Sequence, residues 1–137
     1  MQFSTLFLAT LSILSSGASS WQLAAYMDVE HCDVQRNSAY RVLDGPSNLN
    51  NCFTFQQSMP GTGCRAFTNG GALYGTCTSP GPSGPISVQV RGTCTIYSQA
   101  NCQGISAVVG NRQCGQLRGE INILPYSIIR SYKCSGE

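Results

Sequence analysis

The chain of 137 residues is the length of one small domain and carries few charges. Lys and Arg number 8 and Asp and Glu number 6, so the net charge of +2 is too weak for a nucleic-acid binder that relies on phosphate contacts. The 15 glycines, 6 prolines and 8 cysteines argue against a long helical protein, a disordered tail and a multidomain enzyme.

The first twenty residues have the pattern of a secretory signal peptide. The apolar stretch of residues 3–14 is too short to span a bilayer, and small residues follow it up to position 20. We predict a signal peptide at 1–20, which leaves Trp21 first in the mature chain; cleavage after Ala18 is the close alternative. The protein is therefore expected to be secreted and extracellular, with no membrane span.

The cysteines predict a disulfide framework. All eight lie in residues 21–137, their number is even, and none belongs to a C-x-x-C pair. Because His31 is the only histidine, a zinc site is not expected. We predict four disulfides, whose connectivity stays open because eight cysteines allow roughly a hundred pairings. The residues are Cys32, Cys52, Cys64, Cys77, Cys94, Cys102, Cys114 and Cys134.

Short runs with a period of two predict β-strands along the mature chain. The runs are residues 52–56, 86–90, 105–109, 121–124 and 128–134. The first places Phe53 and Phe55 on one face, and the second places Ser87 and Gln89 on its polar face. Turns are expected at 45–46, 60–61, 69–71 and 80–82, and a short helical turn around 114–118. An all-β sandwich or barrel is the expected fold class.

The Pro- and Gly-rich segment 78–85 is too rich in breakers for a central strand. It is expected to join two halves of a single cysteine-rich β domain, residues 21–137, with four cysteines in each half. Residues 21–90 hold three Arg and four acids, and residues 91–137 hold five bases and two acids. We interpret this asymmetry as scatter; a mildly basic face would only weakly favour an acidic partner or a cell wall.

The second half resembles the Greek-key motif of the βγ-crystallin superfamily. Tyr97 matches the first aromatic residue of that motif, Gly104 its glycine and Ser127 its closing serine, while Cys102 replaces the second aromatic. The resemblance implies a small disulfide-stabilised Greek-key β-sandwich. In such a motif the glycine permits a backbone with positive φ, and the serine bonds the backbone of the folded hairpin.

The first half matches the same motif loosely. Tyr26 and Cys32 echo Tyr97 and Cys102, but Val34 stands at the glycine position and no closing serine is evident. Several microbial members of the superfamily bind calcium through adjacent Asn or Asp residues shortly before the serine. Residues 124–126 of this chain, Leu-Pro-Tyr, offer no such ligands, so we expect no calcium site in the second half and no metal or cofactor elsewhere.

Catalytic chemistry is not expected. Asp28, Glu30, His31 and Asp33 form the densest polar cluster, but strand geometry would split it between two faces, so we interpret it as a solvated loop beside a disulfide. There is no G-x-S-x-G motif, and cysteines in disulfides cannot serve as thiolate nucleophiles. We therefore predict no catalytic and no cofactor-binding residues, and a protein that is not an enzyme.

Two arginines are the candidate partner-binding residues. Arg112 and Arg118 flank Cys114 in a Gly-rich segment, where a disulfide would preorganise them; the alternative is that they only keep the protein soluble. Trp21 is either a binding anchor or a plug at the end of a barrel, and we favour the plug. Exposed binding loops are expected at residues 43–51, 58–63 or 115–120, and the sequence does not choose among them.

The signal peptide, eight cysteines and few charges are similar to those of small secreted cysteine-rich proteins of filamentous fungi, many of which resemble effectors. The resemblance implies an effector or virulence factor that binds and blocks an extracellular host protein, for instance as a protease inhibitor. One alternative is an antimicrobial or killer-toxin-like protein, and another is a cell-wall or carbohydrate-binding structural protein. We expect a monomer.

Overall fold

The computed structural model describes residues 20–78, 81, 84–119 and 127–136. The strand predicted at 121–124 therefore lies outside the described residues, as does the predicted signal peptide except for residue 20. Ten strands lie within these ranges. They are β1 Trp21–Tyr26, β2 Tyr40–Gly45, β3 Cys52–Thr54, β4 Gly63–Thr68, β5 Leu73–Thr76, β6 Ser87–Arg91, β7 Thr93–Gln99, β8 Gln103–Val109, β9 Cys114–Gln116 and β10 Ser131–Ser135.

The strands form two antiparallel sheets. The six-stranded sheet has the order β5-β4-β2-β1-β6-β9, and the four-stranded sheet has the order β3-β10-β7-β8. Side chains of both sheets contribute to one hydrophobic core. The predicted all-β fold is confirmed, and the shared core is consistent with a sandwich of two sheets.

Aromatic residues fill the centre of this core. Trp21 has no exposed surface and lies between Phe53 and Tyr132, with ring centroids 6.4 Å and 5.9 Å from its own. Its Nε1 donates a hydrogen bond of 2.8 Å to the carbonyl of Leu49. Trp21 is buried, as predicted, but it lies in the core shared by two sheets and not at the end of a barrel. The indole also holds the loop that carries Leu49.

The sequence runs with a period of two predict where strands lie more accurately than they predict where strands begin and end. Phe53 and Phe55 are both buried, as the run 52–56 predicts, although β3 ends at Thr54. Runs 86–90 and 105–109 coincide with most of β6 and β8, while β10 begins only at Ser131 within the run 128–134. Strands β1, β2, β4, β5 and β7 were not among the predicted runs.

The helical turn predicted around 114–118 is wrong. Residues 114–116 are strand β9, and Cys114 lies opposite Gln89 of β6. On the side away from β1, the backbone of β6 pairs with this segment, which therefore forms the edge strand of the sheet. Leu117 continues into the core and is almost completely buried.

The two halves are interleaved in both sheets. Strand β1 pairs with β6, and β3 pairs with β10, so each sheet contains strands from before and after the segment 78–85. The predicted four disulfides are confirmed, and no cysteine is free. Two disulfides join the halves, one lies within the first half, and one lies within the second. The pairs are Cys32–Cys114, Cys52–Cys102, Cys64–Cys77 and Cys94–Cys134.

A buried serine locks a folded hairpin in each half. Between β7 and β8, Ser131 accepts a hydrogen bond from the backbone N–H of Cys102 (2.8 Å) and donates one to the carbonyl of Gln99. Between β1 and β2, Ser87 accepts from the N–H of Cys32 (3.0 Å) and donates to the carbonyl of Val29 (2.7 Å). Neither serine has any exposed surface.

These contacts correct the expected closing serine. The hydroxyl of Ser127 donates to the carbonyl of Arg118 (2.9 Å) and not to the hairpin; Ser131 occupies the predicted role. The hairpin of the first half also has a closing serine, Ser87, which lies in β6 beyond the segment 78–85 and which the sequence did not reveal. Gly104 has φ +85°, as expected for the glycine of the hairpin, and a Cβ there would collide with the side chain of Ser98.

Replacing Ser131 by Ala is expected to lower the free energy of unfolding by about 2 kcal/mol, because the N–H of Cys102 and the carbonyl of Gln99 lose their partner in a buried place. Chemical denaturation of the oxidised mature chain measures the change. Ser127→Ala is the control and should cost at most about 0.5 kcal/mol. Equal effects of the two substitutions would contradict the assignment of Ser131.

Candidate binding surfaces

The connection between β3 and β4 is an exposed loop with a disulfide on each side. We call residues 56–63 the binding loop. Cys52, which precedes it, is bonded to Cys102, and Cys64, which follows it, is bonded to Cys77. This arrangement matches the disulfide-flanked loop expected at 58–63.

A tight turn fixes the centre of the binding loop. Both the N–H (3.2 Å) and the hydroxyl (2.7 Å) of Thr62 donate to the carbonyl of Met59. Pro60 and Gly61 occupy the two central positions, and Gly61 has φ +88°, as a type II turn requires. The turn exposes Pro60 while holding both of its ends.

Met59 attaches this turn to the core. Its sulfur accepts a hydrogen bond of 3.2 Å from the hydroxyl of Tyr132. Burial raises the pKa of Tyr132 far above its ordinary value, so the hydroxyl stays protonated and remains a donor. The loop is thus anchored in its middle as well as at both ends, and Gln57 and Ser58 remain exposed between the anchors.

The second loop, predicted at residues 43–51, packs against the first, but its first three residues belong to β2 and Leu43 is buried. Leu49, in the loop of residues 46–51, receives the indole hydrogen bond of Trp21. A Cβ built on Gly61 would lie 3.2 Å from a methyl carbon of Leu49, so the two loops are in contact. The third candidate, residues 115–120, is wrong as an exposed loop, since Gly115 is buried in β9 and Leu117 in the core, and residue 120 is outside the described residues.

An apolar groove of about 220 Å³ lies beside the binding loop. Leu43, Phe55, Met59 and the Cys64–Cys77 disulfide are among the groups that line it. Arg41 adds a cation to its rim and donates a hydrogen bond of 2.8 Å to the carbonyl of Thr78. Burial lowers the pKa of Arg41 from its ordinary value. The groove can accept an apolar side chain of a partner next to a hydrogen-bonding group.

A different groove crosses the outer face of the six-stranded sheet. We call it the outer-face groove. It has a volume of about 400 Å³, and Ala24 of β1 and Val42 of β2, which face each other in the sheet, lie along it. Tyr26 and Tyr40, also directly opposed, stand one pleat away and line it on one side.

Aromatic rings continue from this groove to the edge of the sheet. Tyr26, Tyr40, Phe67 and Tyr74 come from neighbouring strands, with successive ring centroids 5.1, 4.9 and 5.6 Å apart. Tyr40 and Phe67 are stacked nearly parallel, with an interplanar angle of 8°. Burial raises the pKa of Tyr26 above its ordinary value, and the neighbouring Tyr40 makes a smaller contribution in the same direction.

The structure separates the two predicted partner-binding arginines. Arg112 lies in a tight turn with φ +63° and lines the outer-face groove. Arg118 lines another hollow, next to β8 residues such as Ile105. Both are exposed. Arg91, which the sequence did not single out, is the second arginine at the outer-face groove.

The polar cluster at 28–33 is an exposed turn. Asp28, Glu30, His31 and Asp33 are all exposed, and His31 and Cys32 both have positive φ, so the strand alternation assumed for this segment does not occur. The N–H of His31 is bonded to the side chain of Gln116 (2.7 Å). Within the described part of the chain, no three His, Cys, Asp or Glu side chains are grouped to hold a metal.

The all-β architecture, four disulfides and anchored loops define a small disulfide-stabilised domain that presents rigid surface segments. Residues 21–134 match the family described as "Secreted LysM effector LysM14, C-terminal domain", and the chain belongs to this family. No curated protein and no solved structure matches the chain. The family confirms the predicted secretion and the effector class, and it favours a role that is not enzymatic. Within the described residues no helix is long and apolar enough to cross a membrane.

Proposed function

We propose that this effector domain acts without catalysis, by binding an extracellular host protein through the binding loop and blocking it. A protease is the first target class to test. The observation that carries the proposal is the exposed segment Gln57–Ser58, held between two disulfides and the Met59 anchor.

Rigidity of this kind favours association. A flexible loop loses conformational freedom when it binds, whereas a loop already fixed by a turn, an anchor and two disulfides loses little. The neighbouring loop at Leu49 braces the turn from the side. A partner that approached this end of the molecule would therefore meet a preformed surface.

The groove beside the loop would give the contact its specificity. An apolar side chain of the partner would enter between Leu43, Phe55 and Met59, and a polar group beside it would reach Arg41. Buried apolar anchors and arginine are typical of the residues that dominate interface energies.

We further propose that residues 1–20 are a signal peptide and that residues 21–137 fold as one domain of the βγ-crystallin type. Support comes from the repeated hairpin, in which Ser87 and Ser131 bond the turns that carry Cys32 and Cys102. Because Ser87 lies in β6, the two copies of the motif would meet between β6 and β7, and the segment 78–85 would lie within the first copy.

The test uses the oxidised mature chain, residues 21–137, as a single preparation. Purified extracellular proteases of the cysteine, serine and metallo classes are assayed with the protein at micromolar concentration. We expect inhibition of one class, with reduced protein as an inactive control because the loop then loses its covalent anchors. Absence of inhibition in all three classes would contradict the protease target.

A further inference from the structure

We infer that the outer-face groove binds an acidic polysaccharide whose sugar units carry carboxylates, such as uronic acids. This second binding site is separate from the binding loop, and the inference does not rest on the proposed function. The argument uses the shape of the groove, its charge and the position of its strands within the sheet.

The groove has a floor of small side chains between two kinds of wall. Ala24 and Val42 form the floor because they are directly opposed on the outer face of β1 and β2. Tyr26 and Tyr40 stand on one side. On the other side Gln22 of β1 lies opposite Arg91 of β6. The depression crosses β2, β1 and β6.

Positive charge is concentrated at one end of the groove. Arg91 and Arg112 are both exposed and line it, and no carboxylate does. Asp44 lies on the same face beside Gln22 and lines the adjoining hollow at Gly45, which Gln22 and Arg91 line as well. Guanidinium groups bind carboxylates through two parallel hydrogen bonds, so the pair favours an acidic ligand over a neutral one.

The sheet position disfavours a peptide ligand. Strands β1, β2 and β6 are interior strands, paired on both sides, so their backbone groups are already used. An extended peptide is typically recognised at an edge strand through main-chain hydrogen bonds, which this groove cannot offer. Recognition must rest on side chains.

The available side chains suit sugars. The amides of Gln22 and Gln89 line the groove and can each donate and accept hydrogen bonds, as sugar hydroxyls require. The hydroxyl of Tyr26 lies 3.5 Å from the amide oxygen of Gln89, which leaves the amide nitrogen available to a ligand. The half-buried ring of Tyr40, which packs against the buried Tyr26, provides an apolar wall for the C–H faces of the sugar units.

The probe is polygalacturonate, and its methyl-esterified form is the matched control, since both have the same backbone and only one has the carboxylates. Binding to the oxidised mature chain is measured by isothermal titration at low salt. We expect binding to the acidic form, weaker binding as salt rises, and little binding to the ester.

Substitutions then locate the site. The double variant Arg91→Gln/Arg112→Gln is expected to lose roughly tenfold or more in affinity. The double variant Arg36→Gln/Arg118→Gln removes the same charge from exposed arginines that do not line this groove, and it should bind like the wild type. Ala24→Leu fills the floor without changing charge and should also weaken binding. Thermal unfolding shows that each variant is folded.

Three results would overturn the inference. The first is equal binding of the acidic polymer and its ester. The second is an equal loss of affinity in the two double variants, which would mean a diffuse charge effect. The third is tighter binding of polyglutamate of matched length than of polygalacturonate, which would make the groove a site for acidic protein segments.

Discussion

Replacing Trp21 by Ala lowers the free energy of unfolding by about 4 kcal/mol, the range expected for removal of a large buried aromatic side chain. The indole has no exposed surface, contacts Phe53 and Tyr132, and bonds the carbonyl of Leu49. Gly45 packs so closely that a Cβ there would lie 2.5 Å from the indole. Gly45 has no side chain that could fill the cavity left by the indole.

The measurement is chemical denaturation of the oxidised mature chain. Tyr74→Ala is the control, because Tyr74 is 71% exposed and contacts only the end of the aromatic row at Phe67. We expect it to cost at most about 1 kcal/mol. A loss of similar size in both variants would contradict the central place of Trp21 in the core. Because Trp21 holds Leu49, the same substitution should also loosen the loop at 46–51.

Removing the disulfide between Cys32 and Cys114 is expected to cost roughly 4 to 5 kcal/mol, since it closes a loop with a sequence separation of 82. This is the longest of the four closures, and its loss frees the largest part of the unfolded chain. It also releases the first folded hairpin from the edge strand β9, where Cys114 lies.

The comparison uses paired Cys→Ala variants, which leave no free thiol. The Cys64–Cys77 pair, with a separation of 13, should cost roughly 3 kcal/mol by the same relation. Denaturant midpoints of the two variants give the order directly. A larger loss for Cys64–Cys77 would show that local geometry, and not loop length, sets the contribution of these disulfides.

Much of the fold could be predicted from local patterns. The alternation of Phe53 and Phe55 and that of Val88 and Val90 correctly marked core-facing residues, because side chains alternate between the faces of a strand. The turn at Pro60–Gly61 followed from the conformations those residues favour. Pairing of strands and cysteines did not follow, because β1 meets β6 and Cys32 meets Cys114 across long stretches of chain.

The candidate sites were less predictable for the same reason. Ser131 and Ser87 look like ordinary strand serines, and their role appears only when hairpins that lie 29 and 55 positions away along the chain fold onto them. Arg91 and Arg112 meet at one groove because the chain passes through β7 and β8 of the other sheet and then returns beside β6 as β9. The only local signal of a rigid surface was the spacing of Cys52 and Cys64 around a Pro-Gly turn.

The binding loop offers the most direct test of the proposed function, because substitutions there should lower the affinity for the target and leave the stability of the fold unchanged. The variant Gln57→Ala/Ser58→Ala removes two exposed side chains and keeps Pro60, Gly61 and Met59, so the turn and its anchor remain. Asn37→Ala/Ser106→Ala is the matched control, with one amide and one hydroxyl removed from exposed positions on other elements.

The measurement is the affinity of each variant for the protease that the wild-type protein inhibits, together with its thermal midpoint. The account predicts that the loop variant loses roughly tenfold or more in affinity while its midpoint stays within about 2 °C of the wild type, and that the control changes neither. Wild-type affinity in the loop variant would contradict the assignment of the binding loop as the surface that contacts the target.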